Sequence, residues 1–130
     1  ATNSSVGMNV TVANANGTSG LKSTSTPADF IASSTGTMAA GTSNYGLCVA
    51  TSGLVDFSRA AGTYGADTCA LSSGTNQIRA LSTTPANILT SSGVLAAGHA
   101  EIVVNAAISG SVPAHSDYSD TLTFVATATF

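Results

Sequence analysis

Of 130 residues only 7% are charged and 5% aromatic, none of them Trp, while 43% are hydrophobic, mostly Ala and Val. Lys22, Arg59 and Arg79 are the only Lys or Arg in a chain of net charge -3, so there is no basic face to neutralise nucleic-acid phosphates. Catalytic acids, bases and cation clamps are equally scarce, which points away from an enzyme and towards one small binding or structural domain.

The first expected element is a strand. Val6, Met8, Val10 and Val12 alternate with Gly7, Asn9, Thr11 and Ala13, the period of two that gives a strand one apolar face. Residues 14–20, Asn-Ala-Asn-Gly-Thr-Ser-Gly, are turn chemistry throughout. They read as a hinge or linker between a terminal strand at 1–13 and a body at 21–130. Short apolar runs bounded by Gly and Ser follow at 28–32 and 47–51, the second a strand by its length and its Val and Thr content. Segments 54–57, 76–81 and 87–90 are further brief candidates.

Residues 101–108, Glu-Ile-Val-Val-Asn-Ala-Ala-Ile, are β-branched and nearly continuously apolar, the pattern of a central strand covered on both faces. At the C-terminal end Leu122, Phe124, Ala126, Ala128 and Phe130 make one face, and Thr121, Thr123, Val125, Thr127 and Thr129 the other. No long window repeats its apolar residues at the helical period without a Gly or Pro. The predicted fold is therefore all-β, an immunoglobulin-like or jelly-roll β-sandwich. Its small side chains bury little area each, so the domain is expected to be marginal without further support.

Cys48 and Cys69 lie in a Ser/Thr-rich chain that reads as exported, and a disulfide is favoured over two buried thiols. Closing a loop of about 20 residues contributes about 3 kcal/mol on the chain-entropy model. No second Cys pair or nearby His accompanies them, so neither a metal nor a cofactor is expected. The sequence opens at Ala1 without a cationic or apolar leader, read as a signal already removed, and no run reaches the ~18 to 20 apolar residues of a membrane span. A secreted or cell-surface location follows as the expectation. Three matches to the N-glycosylation sequon, at Asn3, Asn9 and Asn16, are of the kind that chance supplies in such a composition.

His115, Asp117 and Asp120 share one loop, but two carboxylates fall well short of the six or so oxygen ligands that calcium takes. There is no Gly-x-Ser-x-Gly elbow, and Glu101, the only Glu, has no obvious second carboxylate for glycoside chemistry. The loop reads as a turn in which Pro113 ends a strand and Asp117 and Asp120 accept backbone N–H bonds. Tyr118 covers the sandwich edge with its hydroxyl in water. Arg59 and Arg79 are expected to solvate strand ends or pair with Asp56 and Asp67. No catalytic residue is nominated.

A terminal strand on a hinge has two fates: it completes its own sheet, or it adds to that of a neighbouring copy. In the second case Val6, Met8, Val10 and Val12 are donated into a groove lined by the strand at 101–108 or that at 121–130. The groove residues are then Ile102, Val104, Ala106, Ile108, Leu122, Phe124 and Phe130. The stretch Val112-Pro113-Ala114-His115-Ser116-Asp117-Tyr118-Ser119-Asp120-Thr121-Leu122-Thr123-Phe124 resembles the closing motif of archaic chaperone–usher pilins and spore coat protein U domains. In these a proline-containing turn leads to Tyr-x-Asp-Thr and a final alternating strand. Tyr118, Asp120, Thr121, Leu122, Thr123 and Phe130 occupy the matching places, and the N-terminal segment is similar in kind to a donor strand. The resemblance implies an incomplete immunoglobulin-like sandwich that polymerises head to tail by donor-strand exchange into an extracellular filament. Identical subunits are then its partners, with a surface or host receptor beyond them. The alternative is a secreted monomeric adhesive or carbohydrate-binding sandwich, for which Tyr45, Tyr64 and Tyr118 would have to supply the aromatic platforms.

Overall fold

The computed structural model describes residues 7–60, 69 and 77–129, and these are all-β apart from one 3-10 turn at Gly17–Ser19. The strands in chain order are β1 (Gly7–Asn14), β2 (Leu21–Ser23), β3 (Phe30–Ile31), β4 (Gly36–Thr37), β5 (Asn44–Val49) and β6 (Ser58–Arg59). They continue with β7 (Gln77–Ile78), β8 (Ala86–Ser91), β9 (Ile102–Ala107), β10 (Tyr118–Ser119) and β11 (Leu122–Thr129).

One antiparallel sheet has the order β11-β1-β8-β6. The second layer is assembled from smaller ladders, β10-β2-β3, β5-β9 and β4-β7. Single bridges Ser33 to Tyr45 and Leu47 to Arg79 attach them to β5. The main core lies between the layers: Val12, Ile88 and Leu89 from the first sheet meet Ile31, Tyr45, Leu47, Val49 and Leu81 from the other side. Alternation explains Val12, but Ile88 and Leu89 are neighbours and both buried. The ladder accounts for it, because Val10 pairs with Leu89 and Thr11 with Asn87, so Ile88 is an extra residue. A bulge of this kind re-aims side chains and puts two successive residues into the core.

All six residues of β5 are buried. Tyr45, Leu47 and Val49 face the main core, while Cys48 joins Met38, Ala50, Cys69 and Ile78 in a second cluster on the opposite side. The disulfide joins Cys48 to Cys69 with the Cα atoms 5.6 Å apart. Gly46 is required here, since a Cβ would stand 2.5 Å from the Arg79 carbonyl oxygen. The strand covered on both faces is thus β5. The segment at 101–108 differs from its expectation: β9 pairs with β5 and with no second strand among the described residues. Val104 and Ile108 are exposed there. A continuous apolar run reports affinity for a sheet, not the number of strands beside it.

Candidate strand-docking site

β1 carries the β-branched run Val10-Thr11-Val12, which favours extended backbone, and its alternation puts Met8, Val10, Val12 and Asn14 on one face. It pairs with β11 without interruption from Gly7–Thr129 to Asn14–Leu122, eight positions in all. On its other side it pairs with β8 from Met8–Ser91 to Val12–Ala86. The first described strand is therefore an interior strand of its sheet. Val12 is buried, and Val10 and Leu122 pack against the same core. Among the described strands β11 is the sheet edge, and Phe124 (44% exposed) and Val125 (48% exposed) lie on its two faces.

Of the expected groove residues, Leu122 and Phe124 are on the strand beside β1, Phe124 directly opposite Val12. Ile102, Val104 and Ala106 are on β9 against β5, away from β1. Ile102 reaches the main core from that side. Ala106 and Ile108 instead border a shallow apolar cleft of about 290 Å³ with Met38, Ala39, Ala40 and Gly41. The second flank of β1 is β8, a strand recognised in the sequence but not assigned that place. Val6 and Phe130 lie outside the described residues.

Residues 14–20 form a hydrogen-bonded corner rather than an open tether. The amides of Asn14 and Ala15 donate to the carbonyls of Ser82 and Thr121, and Gly20 N–H to Gly17 O. Asn16 Nδ2 donates to the carbonyls of Gly20 and Ser119, at 2.9 and 2.8 Å. Gly20 has φ 58° and could not carry a side chain, because a Cβ would meet the Ile31 carbonyl oxygen at 2.5 Å. The Gly and Asn content that reads as flexibility is here what permits a tight left-handed turn.

Asp120 is the hub of this corner. Its Oδ2 accepts from Asn14 Nδ2 at 2.8 Å, and its Oδ1 accepts from the amides of Asn16 and Thr121 at 3.2 and 2.8 Å. Asn14 Nδ2 also donates to Gly17 O at 2.9 Å. Burial, and then the charge and hydrogen bond of Asp120, push the Tyr45 phenol up to about 12. One carboxylate thus ties the end of β1, the start of β11 and a core tyrosine of β5 together.

The other residues of the loop go elsewhere. Asp117 accepts from the hydroxyls of Ser23 and Thr24 and from Ser25 N–H. These bonds, led by the Ser25 amide, hold its carboxyl well below the usual range. His115 Nε2 meets Asp29 Oδ2 at 2.7 Å. The Tyr118 hydroxyl is at the surface and there donates to the Pro113 carbonyl at 2.8 Å. Its phenol is raised by partial desolvation and then by the charges of Asp29 and Asp117. Such a bond from a tyrosine back to a carbonyl just upstream is a corner device of immunoglobulin-type sandwiches. His115, Asp117 and Asp120 thus share a loop but have three separate sets of partners. Asp56, at φ 61°, accepts from the amides of Ala96 and Ala97. Asp67 lies outside the described residues.

Sequence reasoning recognised the strand but missed the pair Asn14–Asp120. The available signal was an Asn at an inward position of an otherwise apolar alternation, matched to an Asp directly before the last strand. Comparison with protein-family profiles, with curated proteins and with solved structures found no match to this chain.

Proposed function

We propose that the chain is the structural subunit of an extracellular filament, in which β1 of one copy fills the place between β8 and β11 of the next. The observation that carries this reading is the position of β1, the first of the described strands yet interior in its sheet. Lifting it out exposes a strand edge on each side and uncovers the core at Val12, and both are restored by an identical strand from a neighbour. Such a contact is head-to-tail and does not close, so its repetition gives a fibre. The low charge of the chain, -3 over 130 residues, suits close stacking of many copies, and the buried disulfide suits an oxidising exterior.

A second reading, a secreted monomer completed by its own strand, is favoured by one observation: β1 pairs within its own chain and runs on through the tied corner at 14–20. A single experiment separates the two. Asn9 and Thr127 are directly opposite and both exposed, so Asn9→Cys with Thr127→Cys places two thiols across the β1–β11 seam. Oxidation of assembled protein is expected to give a ladder of covalent multimers on a non-reducing gel. A closed monomer as the only product, with no fibres by electron microscopy, would refute the filament and establish the monomer.

A further inference from the structure

A strand that docks into a sheet must find one register, and the apolar pattern of β1 does not choose it. A slip by one residue turns Val10 and Val12 outwards and is forbidden by burial, but a slip by two restores the same faces. The partner strand adds little selection, because a shift of β1 by two residues towards its corner puts Val10 in the place of Val12, opposite Phe124, and leaves that contact valine to phenylalanine.

The two ends of β1 break this degeneracy. When the strand is displaced so that Val12 enters the place of Asn14, Asp120 loses the amide that donates to it and faces an isopropyl group. Asn14 is only 3% exposed, and its Oδ1 has no partner among the described residues, so packing alone gives no reason for a polar residue at that site. When the strand is displaced the other way, Asn9 enters the place of Gly7. That residue has φ 130°, and a Cβ there would overlap the carbonyl oxygen of Ser91. In the first displacement Gly7 moves to the place of Asn9, where a glycine fits, so Asp120 is the main barrier in that direction.

We infer that the Asn14–Asp120 pair is the register determinant of strand docking, with Gly7 against Ser91 as the stop in the opposite direction. A buried amide that fixes register is a well-attested use of a polar group in an apolar seam. The lock acts on β1 whichever copy supplies it, so it does not depend on the proposed filament.

The test reads register directly. Asn9→Cys is combined in separate proteins with Thr127→Cys, the native partner, or with Val125→Cys, the partner after the slip that Asp120 opposes. In the parent only the pair 9–127 closes on oxidation. With Asp120→Ala the pair 9–125 is expected to close as well, approaching about half of the cross-linked product as the two registers become comparable. Asp120→Asn, which keeps one of the two acceptor oxygens, is expected to return the product part of the way to 9–127. Asn14→Val removes the same lock while keeping the inward face apolar, and should also open 9–125 if Asp120→Ala fails to fold. Closure of 9–127 alone in both Asp120→Ala and Asn14→Val, or in Asn14→Val when only that variant folds, would overturn the assignment. The mass of the product reports which chain supplies β1 and the identity of the pair reports register, so the two proposals fail separately.

Discussion

Val12→Ala measures how much the docked strand contributes to the core. Val12 is 2% exposed and sits among Ile31, Tyr45, Leu47, Ile88 and Leu89, each buried in its turn. Removing its two methyl carbons forfeits about 0.8 kcal/mol each by transfer. The neighbours come from both layers and are held by ladders on either side, so the space left behind collapses little, and the total is expected at about 2 to 3 kcal/mol. Guanidinium titration followed by circular dichroism should show this as a lower midpoint at unchanged slope. Asn9→Ala, three residues earlier and exposed, is expected to stay within about 0.5 kcal/mol. If β1 comes from another chain, the midpoint also rises with protein concentration. Equal losses for the two variants would refute the placement of β1 with Val12 inward.

Two further outcomes follow from buried groups. Cys48 and Cys69 are 0% and 3% exposed, so the native protein should resist a mild reductant, and Cys48→Ala with Cys69→Ala should cost about 3 kcal/mol of stability. The Tyr45 phenol, raised from 10.0 to about 12, holds its proton more tightly folded than unfolded; the associated stability is present below pH 10 and is lost as pH rises towards about 12. Denaturation at stepped alkaline pH should show this fall and show it reduced in Tyr45→Phe; parallel curves would refute it.

Much of the fold is legible in the sequence because period-two alternation is a direct image of a half-buried strand. β1 and β11 show it: among the described residues β1 takes in the alternating positions from Gly7 and runs one residue past them to Asn14, and β11 covers Leu122–Thr129. Segment 87–90 is likewise β8, but its place beside β1 is a long-range pairing that no local pattern encodes. β9 fails for a different reason: its apolar content is shared between two core clusters and an exposed edge, three environments that look alike in one dimension. The short strands β2, β4 and β10 are fixed by partners distant in sequence and carry almost no pattern of their own. At the site, Met8, Val10 and Val12 could be chosen by polarity. Asn14 could not, because an Asn at the head of the run Asn-Ala-Asn-Gly-Thr-Ser-Gly is chemically a turn residue, and only the carboxylate arriving from position 120 makes it part of the strand.

The uninterrupted pairing of β1 with β11 also has a mechanical meaning. A pull along the axis of β1 is parallel to its neighbours, so the backbone hydrogen bonds to β11 over eight positions, and those to β8, are loaded together instead of opening one after another. The Asn14 and Asn16 contacts to Asp120 lie at the end of that same strand and share the tension where it enters the corner. The disulfide is on the far side of β5, outside this path. Resistance to extension in this molecule therefore resides in the backbone ladder around its first strand, and the covalent bridge protects the layer behind it.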